Sequence, residues 1–207
     1  SELEARRGLP FAAVPTIRRS AVALAAALVT TLLLAGHAQA ATREDVTIAS
    51  TDATELAATL ILPDGAPPAG GWPAVVFLHG LGGDRSSSLA LVESMGLSDR
   101  FAILAYDARG HGQSGGLIGI DGPKETADAQ AVFAWLRDRP DVADARIGGW
   151  GLSYGGGALW NSLAAGTPWA ALEVAITWTD LRSALLPQNL VKSGVVAGFL
   201  GSLPPER

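Results

Sequence analysis

Gly148-Gly149-Trp150-Gly151-Leu152-Ser153-Tyr154-Gly155-Gly156-Gly157 is the stretch that decides how this chain folds. It carries Gly-x-Ser-x-Gly at positions 151, 153 and 155. The residues before it, Ala145 to Trp150, predict a buried strand, and those after it, Ala158 to Ala165, predict a helix. A Ser at the tip of a sharp strand-to-helix turn has a strained backbone and presents its Oγ to a cleft. Gly151 and Gly155 lack a Cβ, so strand and helix can approach closely around it. The helix N-terminus brings unsatisfied N–H groups and a positive dipole end, where an oxyanion is stabilised.

Working outward, Pro73 to Leu78 is a continuous apolar run, as a central parallel strand requires, and it ends in His79-Gly80-Leu81-Gly82-Gly83. A helix is predicted from Ser86 to Leu97, then a buried strand from Phe101 to Tyr106, ending in Asp107-Ala108-Arg109-Gly110-His111-Gly112-Gln113-Ser114-Gly115. Lys124 to Arg139 is an amphipathic helix with Ala127, Ala131, Phe133, Ala134, Trp135 and Leu136 on its apolar side, stopped by Pro140. Leu172 to Trp178 predicts one more strand. Ahead of all these, Glu44 to Ser50 and Glu55 to Leu62 predict a strand pair closed by Pro63-Asp64-Gly65 turn chemistry. Thr179 to Leu203 is mixed and broken by Pro187. Strand–helix alternation of this kind implies a mostly parallel sheet with helices on both faces, the α/β-hydrolase arrangement, here reaching about the sixth strand. Ligands bind at the carboxyl ends of such strands. His79-Gly80, Asp107 and Ser153 all fall at that edge.

Residues 1–40 stand apart from this pattern. Arg18-Arg19 precede an uncharged run from Ala21 to Ala35, and Ala38-Gln39-Ala40 is a small-x-small cleavage site. The expectation is a secretory signal, with Ala41 as the mature start and no stable membrane span after cleavage. Arg18-Arg19 also permits a twin-arginine signal. Export would place the protein in the periplasm, at the cell wall or outside the cell. The chain has no Cys, so packing alone holds the core. A net charge of −5 without a basic patch argues against nucleic-acid binding. The domain expectation is 41–178 for the hydrolase part and 179–207 for a cap or linker segment.

Each further motif has a plain structural reading beside its sharp one. The loop after Leu78 is the natural source of a second oxyanion donor, the Leu81 N–H, beside that of Tyr154. His79 invites a reading as catalytic base. In this fold, however, the base follows the Ser, so a turn-stabilising role is expected. Gly110-His111-Gly112-Gln113-Ser114-Gly115 matches Gly-x-Gly-x-x-Gly, but no helix opens after it, so no dinucleotide site is expected. Asp107 and Arg109 are expected to brace this turn, and His111 to be structural. Asp180 is either an acid that orients a His or the cap of the segment from Leu181. No metal-ligand spacing or phosphate loop is present, so neither metal nor cofactor is expected.

With Gly151-Leu152-Ser153-Tyr154-Gly155-Gly156, Tyr106 to Ser114, and the helix bearing Glu125, Asp128 and Trp135-Leu136, the chain resembles the Xaa-Pro dipeptidyl-peptidase and cocaine-esterase-like group, the S15 peptidases, over about Val46 to Trp178. The resemblance implies a serine hydrolase acting on a small peptide or ester, with Ser, Asp and His in that chain order. Carboxylesterase or lipase-type activity is the alternative. Peptidases of this group commonly place a Tyr side chain in the oxyanion hole, and none stands in the loop after Leu78. Ser153 maps to the nucleophile. The only His residues are His37, His79 and His111, all ahead of it. The acid and base are therefore expected beyond Arg207, and the 207 residues alone would be inactive, a non-catalytic fragment.

Overall fold

The computed structural model describes residues 42–202, so the expected signal segment lies outside the described residues. Six strands form one sheet: β1 (Thr42–Ala49), β2 (Glu55–Leu62), β3 (Trp72–Leu78), β4 (Ala102–Tyr106), β5 (Val142–Leu152) and β6 (Ala171–Ala175). Their order is β1-β2-β4-β3-β5-β6. β1 and β2 pair antiparallel, β2 meets β4 antiparallel, and β4, β3, β5 and β6 run parallel. The architecture is that of an α/β-hydrolase.

Side-chain alternation along the strands divides the core in two. Phe77, Ile103 and Ala105 face helix α1 (Arg85–Met95) through Leu89 and Val92. Ala74, Val76, Leu78, Leu104 and Tyr106 face helices α2 (Pro123–Arg137) and α3 (Tyr154–Ala164) through Val132, Phe133, Leu136, Ala158 and Leu159. Helices thus cover both faces. Asp84 caps α1, accepting from the Ser87 N–H, and Gly96 closes it at φ 59. Pro123 opens α2 at its first turn, where its missing N–H costs nothing. After β6 come α4 (Leu181–Leu185), a 3-10 turn (Pro187–Asn189) and α5 (Ser193–Ser202).

The register aligns the strand ends. Leu78 lies opposite Tyr106 and Gly151, and Gly151 opposite Val174. The residues that follow, His79, Asp107, Ser153 and Ile176, therefore emerge at one edge of the sheet.

Three local expectations are corrected. The elbow helix starts at Tyr154, directly after the Ser, not at Ala158. β6 stops at Ala175 because Ile176 turns to φ 53 and leaves the extended conformation. The face that α2 buries includes Glu125 and Asp128, whereas Ala127, Ala131 and Ala134 are only half-buried. Two carboxylates are tolerated there because each has partners. Arg109 grips Asp128 in a fork, Nε to Oδ2 at 2.6 Å and Nη2 to Oδ1 at 2.6 Å, and reaches Asp52 with Nη1 at 3.1 Å. Glu125 Oε1 accepts from the Gly119 N–H at 2.5 Å and the Tyr154 hydroxyl at 3.2 Å.

The Arg109 and Asp128 side chains are 1% and 2% exposed. Removing one member of such a pair strands the other without solvent. Asp128→Asn is expected to destabilise the protein by about 3–5 kcal/mol, measured by urea unfolding. A loss under about 1 kcal/mol would mean that Asp52 alone can neutralise Arg109.

Candidate active site

Ser153 sits between β5 and α3 with φ 50 and ψ −113, a conformation costly for a residue with a Cβ. Three backbone hydrogen bonds hold it there. Its N–H donates to the Ala175 carbonyl at 2.8 Å, its carbonyl accepts from the Gly157 N–H at 3.0 Å, and the Thr177 hydroxyl donates to the same carbonyl at 2.8 Å. The side chain makes no capping bond to the helix and is only partly buried.

The glycines around it are steric necessities. A Cβ on Gly151 would lie 2.7 Å from the Gly155 carbonyl and the Gly156 Cα, and one on Gly155 would overlap the carbonyls of Leu78 and His79. Gly80, in the loop after β3, packs against the elbow; a Cβ there would lie 3.7 Å from that of Ser153. Leu81 follows directly, and Tyr154 is the first helical residue, whose N–H has no partner four residues earlier within the helix.

Below the elbow lies a buried aromatic stack. The His79 ring meets His111 edge-on at 5.0 Å, and His111 meets Tyr154 at 5.3 Å. His79 Nε2 accepts from the Ala108 N–H at 3.1 Å, which leaves Nδ1 to donate to the Gly80 carbonyl at 2.8 Å. Both nitrogens of a neutral ring are thereby used, and burial lowers its pKa, so the neutral form is favoured. His79 stabilises the turn. His111 Nδ1 bonds the Arg109 carbonyl at 3.0 Å. Neither ring hydrogen-bonds Ser153. Asp107 accepts from the Arg85 and Gln113 N–H groups at 2.6 and 2.9 Å and pairs with the Arg85 guanidinium. The turn 107–115 is thus tied to the start of α1, and loop, not helix, follows it.

Asp180 is exposed and caps α4 through the Ser183 N–H at 2.8 Å. That hydrogen bond holds its carboxyl below the usual range. No His partners it among the described residues. Among those same residues, no group of His, Cys, Asp or Glu is arranged to hold a metal, and no helix is long and apolar enough to cross a membrane. A pocket of about 210 Å³ borders the elbow, between His79 and Gly80, Trp150 and Leu152, and Ser87, Ser88 and Leu91 of α1.

Sequence reasoning missed a second carboxyl beside Glu125. Asp121 is 8% exposed, and neither of its oxygens has a hydrogen-bond partner among the described residues. It presses on Gly157 in the first turn of α3, where a Cβ would overlap Oδ2. Its carbonyl accepts from Asn161 of the same helix at 3.0 Å. Burial, with repulsion from Glu125, pushes its pKa up to about 8. The signal available in the sequence was Asp121 standing four residues before Glu125, between Gly119 and Gly122, at the entry to a helix that packs on the elbow.

The model of the family described as X-Pro dipeptidyl-peptidase (S15 family) matches residues 52–196, and the chain belongs to that family. The quorum-quenching protein AidA of Acinetobacter baumannii is 29% identical over 129 residues, 61% of this chain and 42% of that protein. The Pyrococcus furiosus esterase Pf2001 superposes with a TM-score of 0.54 at 28% identity, over 64% of this chain and 51% of the esterase. An acetyl xylan esterase from Paenibacillus sp. R4 superposes with a TM-score of 0.62 at 20% identity, over 81% and 59% respectively, and shows the fold alone. The chain thus spans about half the length of the proteins it matches.

Two outcomes are expected from this geometry. Gly155→Ala should cost about 1–3 kcal/mol or more, since backbone must move to admit the methyl; an unchanged melting temperature would contradict the close approach. Asp121 has a folded-state pKa above its unfolded value of 3.8. The native protein therefore keeps a proton that the unfolded chain releases, and this group's contribution to stability declines as pH rises from about 4 to about 8. Asp121→Asn should flatten that part of the stability–pH curve. A curve of unchanged slope would show that Asp121 is ionised in the native state.

Proposed function

We propose that the whole protein is an exported serine hydrolase that cleaves a peptide or ester bond through Ser153. Membership of a peptidase family and likeness to esterases support hydrolysis. The observation that carries the assignment to Ser153 is its strained, pinned backbone at φ 50, with an uncapped side chain at the carboxyl edge of the sheet.

In this reading Ser153 Oγ attacks the carbonyl carbon, and a His supplied from outside these 207 residues takes the hydroxyl proton. The Tyr154 and Leu81 N–H groups receive the oxyanion of the tetrahedral intermediate. Each such donor is worth about 3 kcal/mol of transition-state stabilisation. The C–N or C–O bond then breaks, and the His proton goes to the leaving amine or alcohol. Water, deprotonated by the same His, cleaves the acyl-enzyme and restores Ser153. The acid that orients the His also comes from outside the chain, since Asp180 is engaged as a helix cap. Segment 179–207 begins the cap, and residues 1–40 direct export, with Ala41 as the mature N-terminus.

Esterase activity is a second reading with its own support. The loop after β3 offers no Tyr hydroxyl to an oxyanion, and the Pyrococcus relative at 28% identity is an esterase.

On the whole protein, a fluorophosphonate probe is expected to label Ser153, and Ser153→Ala to abolish labelling. Labelling that persists in the variant would remove Ser153 from this role. Comparing acyl esters with Xaa-Pro amides as substrates separates the two readings. Turnover of the amides alone supports the peptidase, and turnover of the esters alone supports the esterase.

A further inference from the structure

The peptide that joins Gly80 to Leu81 is held from one side only. Its carbonyl accepts two hydrogen bonds, from His79 Nδ1 at 2.8 Å and from the Gly83 N–H at 3.0 Å. On the other side, the Leu81 N–H has no hydrogen-bond partner among the described residues. The carbonyl and N–H of a planar trans peptide point in opposite directions. The two donors that fix the carbonyl therefore also fix the direction of the N–H. They strengthen it as well, since a peptide whose carbonyl accepts hydrogen bonds is polarised toward donating from its nitrogen.

The surrounding turn holds this geometry. The bond from Gly83 back to Gly80 closes a four-residue turn, and Gly82 stands at φ 78, as the third position of a type II turn requires. A Cβ on Gly83 would lie 3.1 Å from the Gly80 oxygen and 3.3 Å from His79 Nδ1, so the turn closes tightly on the ring. The ring is anchored in turn: Nε2 accepts from the Ala108 N–H at 3.1 Å, and the residue is buried. Each ring nitrogen already has its partner, so what His79 does here depends on no further segment of the protein. Gly80 itself lies against the nucleophile, where a Cβ would be 3.6 Å from the Leu152 carbonyl and 3.7 Å from the Ser153 Cβ. The directed amide is the next one along the chain.

We propose that His79 is a positioning residue for the hydrolysis: through the Gly80 carbonyl it aims and polarises the Leu81 N–H that receives the oxyanion. In this role it touches neither the substrate nor Ser153. The inference rests on the reading of Ser153 as nucleophile and of Leu81 as oxyanion donor.

The test measures kcat and KM on the whole protein, with p-nitrophenyl butyrate or an Xaa-Pro p-nitroanilide, whichever it turns over. Leu81→Pro removes the N–H at the second position of the turn, which Pro suits, and is expected to lower kcat about 100-fold. His79→Gln can keep the Ala108 bond through its amide oxygen but loses the bond to Gly80; kcat is expected to fall about 10-fold with KM unchanged. His79→Asn can place its amide nitrogen where Nδ1 stands, and so keeps the Gly80 bond and most of the activity. Combined with Leu81→Pro, His79→Gln should change kcat by less than about 2-fold, because the amide it acts through is gone. A His79→Gln effect of equal size with and without Leu81→Pro would overturn the proposal. So would losses of kcat in both His79 variants that follow their melting temperatures, the mark of a purely structural ring. Should His79→Gln not fold, His79→Asn decides alone, and a kcat about 10-fold below wild type would count against the role. If a fluorophosphonate probe does not label Ser153, or Leu81→Pro leaves kcat unchanged, it is the underlying reading that fails.

Discussion

The structure turns on the backbone of Ser153. Its φ of 50 is unfavourable and persists only because the surroundings leave it no other choice. The Ala175 carbonyl at the end of β6 and the Thr177 hydroxyl just beyond it hold it on one side, and the Gly157 N–H holds it from α3. Glycines at 151 and 155 let strand and helix close to distances that any Cβ would block. Strain at one residue is thus maintained by steric and hydrogen-bonding constraints spread over three elements.

A second layer of polar groups supports the first. Tyr154, next to the Ser, is fully buried and donates its hydroxyl to Glu125. Glu125 also holds the Gly119 N–H, and Asp121 from the same loop lies against Gly157. Arg109 and Asp128 tie the 107–115 turn to α2, and His79 ties the loop after β3 to Ala108. Buried polar groups of this kind are costly unless paired. Most are paired; the two carboxyl oxygens of Asp121 and one of Glu125 have no hydrogen-bond partner among the described residues, and burial beside Glu125 raises the Asp121 pKa, which favours its uncharged form. The arrangement fixes the position of the elbow relative to the loop carrying Gly80 and Leu81.

Much of this was legible in the sequence. Strands with unbroken apolar runs, such as Pro73 to Leu78 and Phe101 to Tyr106, could be placed because a strand buried on both faces leaves no other pattern. The elbow could be placed because Gly-x-Ser-x-Gly between strand and helix patterns has a steric meaning. The structural role of His79 followed from chain order and is met by the use of both ring nitrogens. The face of α2 was misjudged because hydrophobic periodicity counts Ala as core and carboxylates as surface. Glu125 and Asp128 are buried by partners 29 and 19 residues away, which periodicity cannot register. The early end of β6 was missed for a similar reason. Ile and Thr favour strands locally, and the hydrogen bonds to Ser153 override that preference at Ile176.

In the proposed reading the Ser153 hydroxyl is presented beside amide hydrogens positioned for an oxyanion. The most direct measurement is a crystal structure of the whole protein carrying a phosphonate on its reactive serine. The phosphorus is expected on Ser153 Oγ, with the phosphoryl oxygen within about 3.1 Å of the Tyr154 and Leu81 nitrogens. An adduct on another residue, or a phosphoryl oxygen turned to bulk solvent away from both amides, would contradict it.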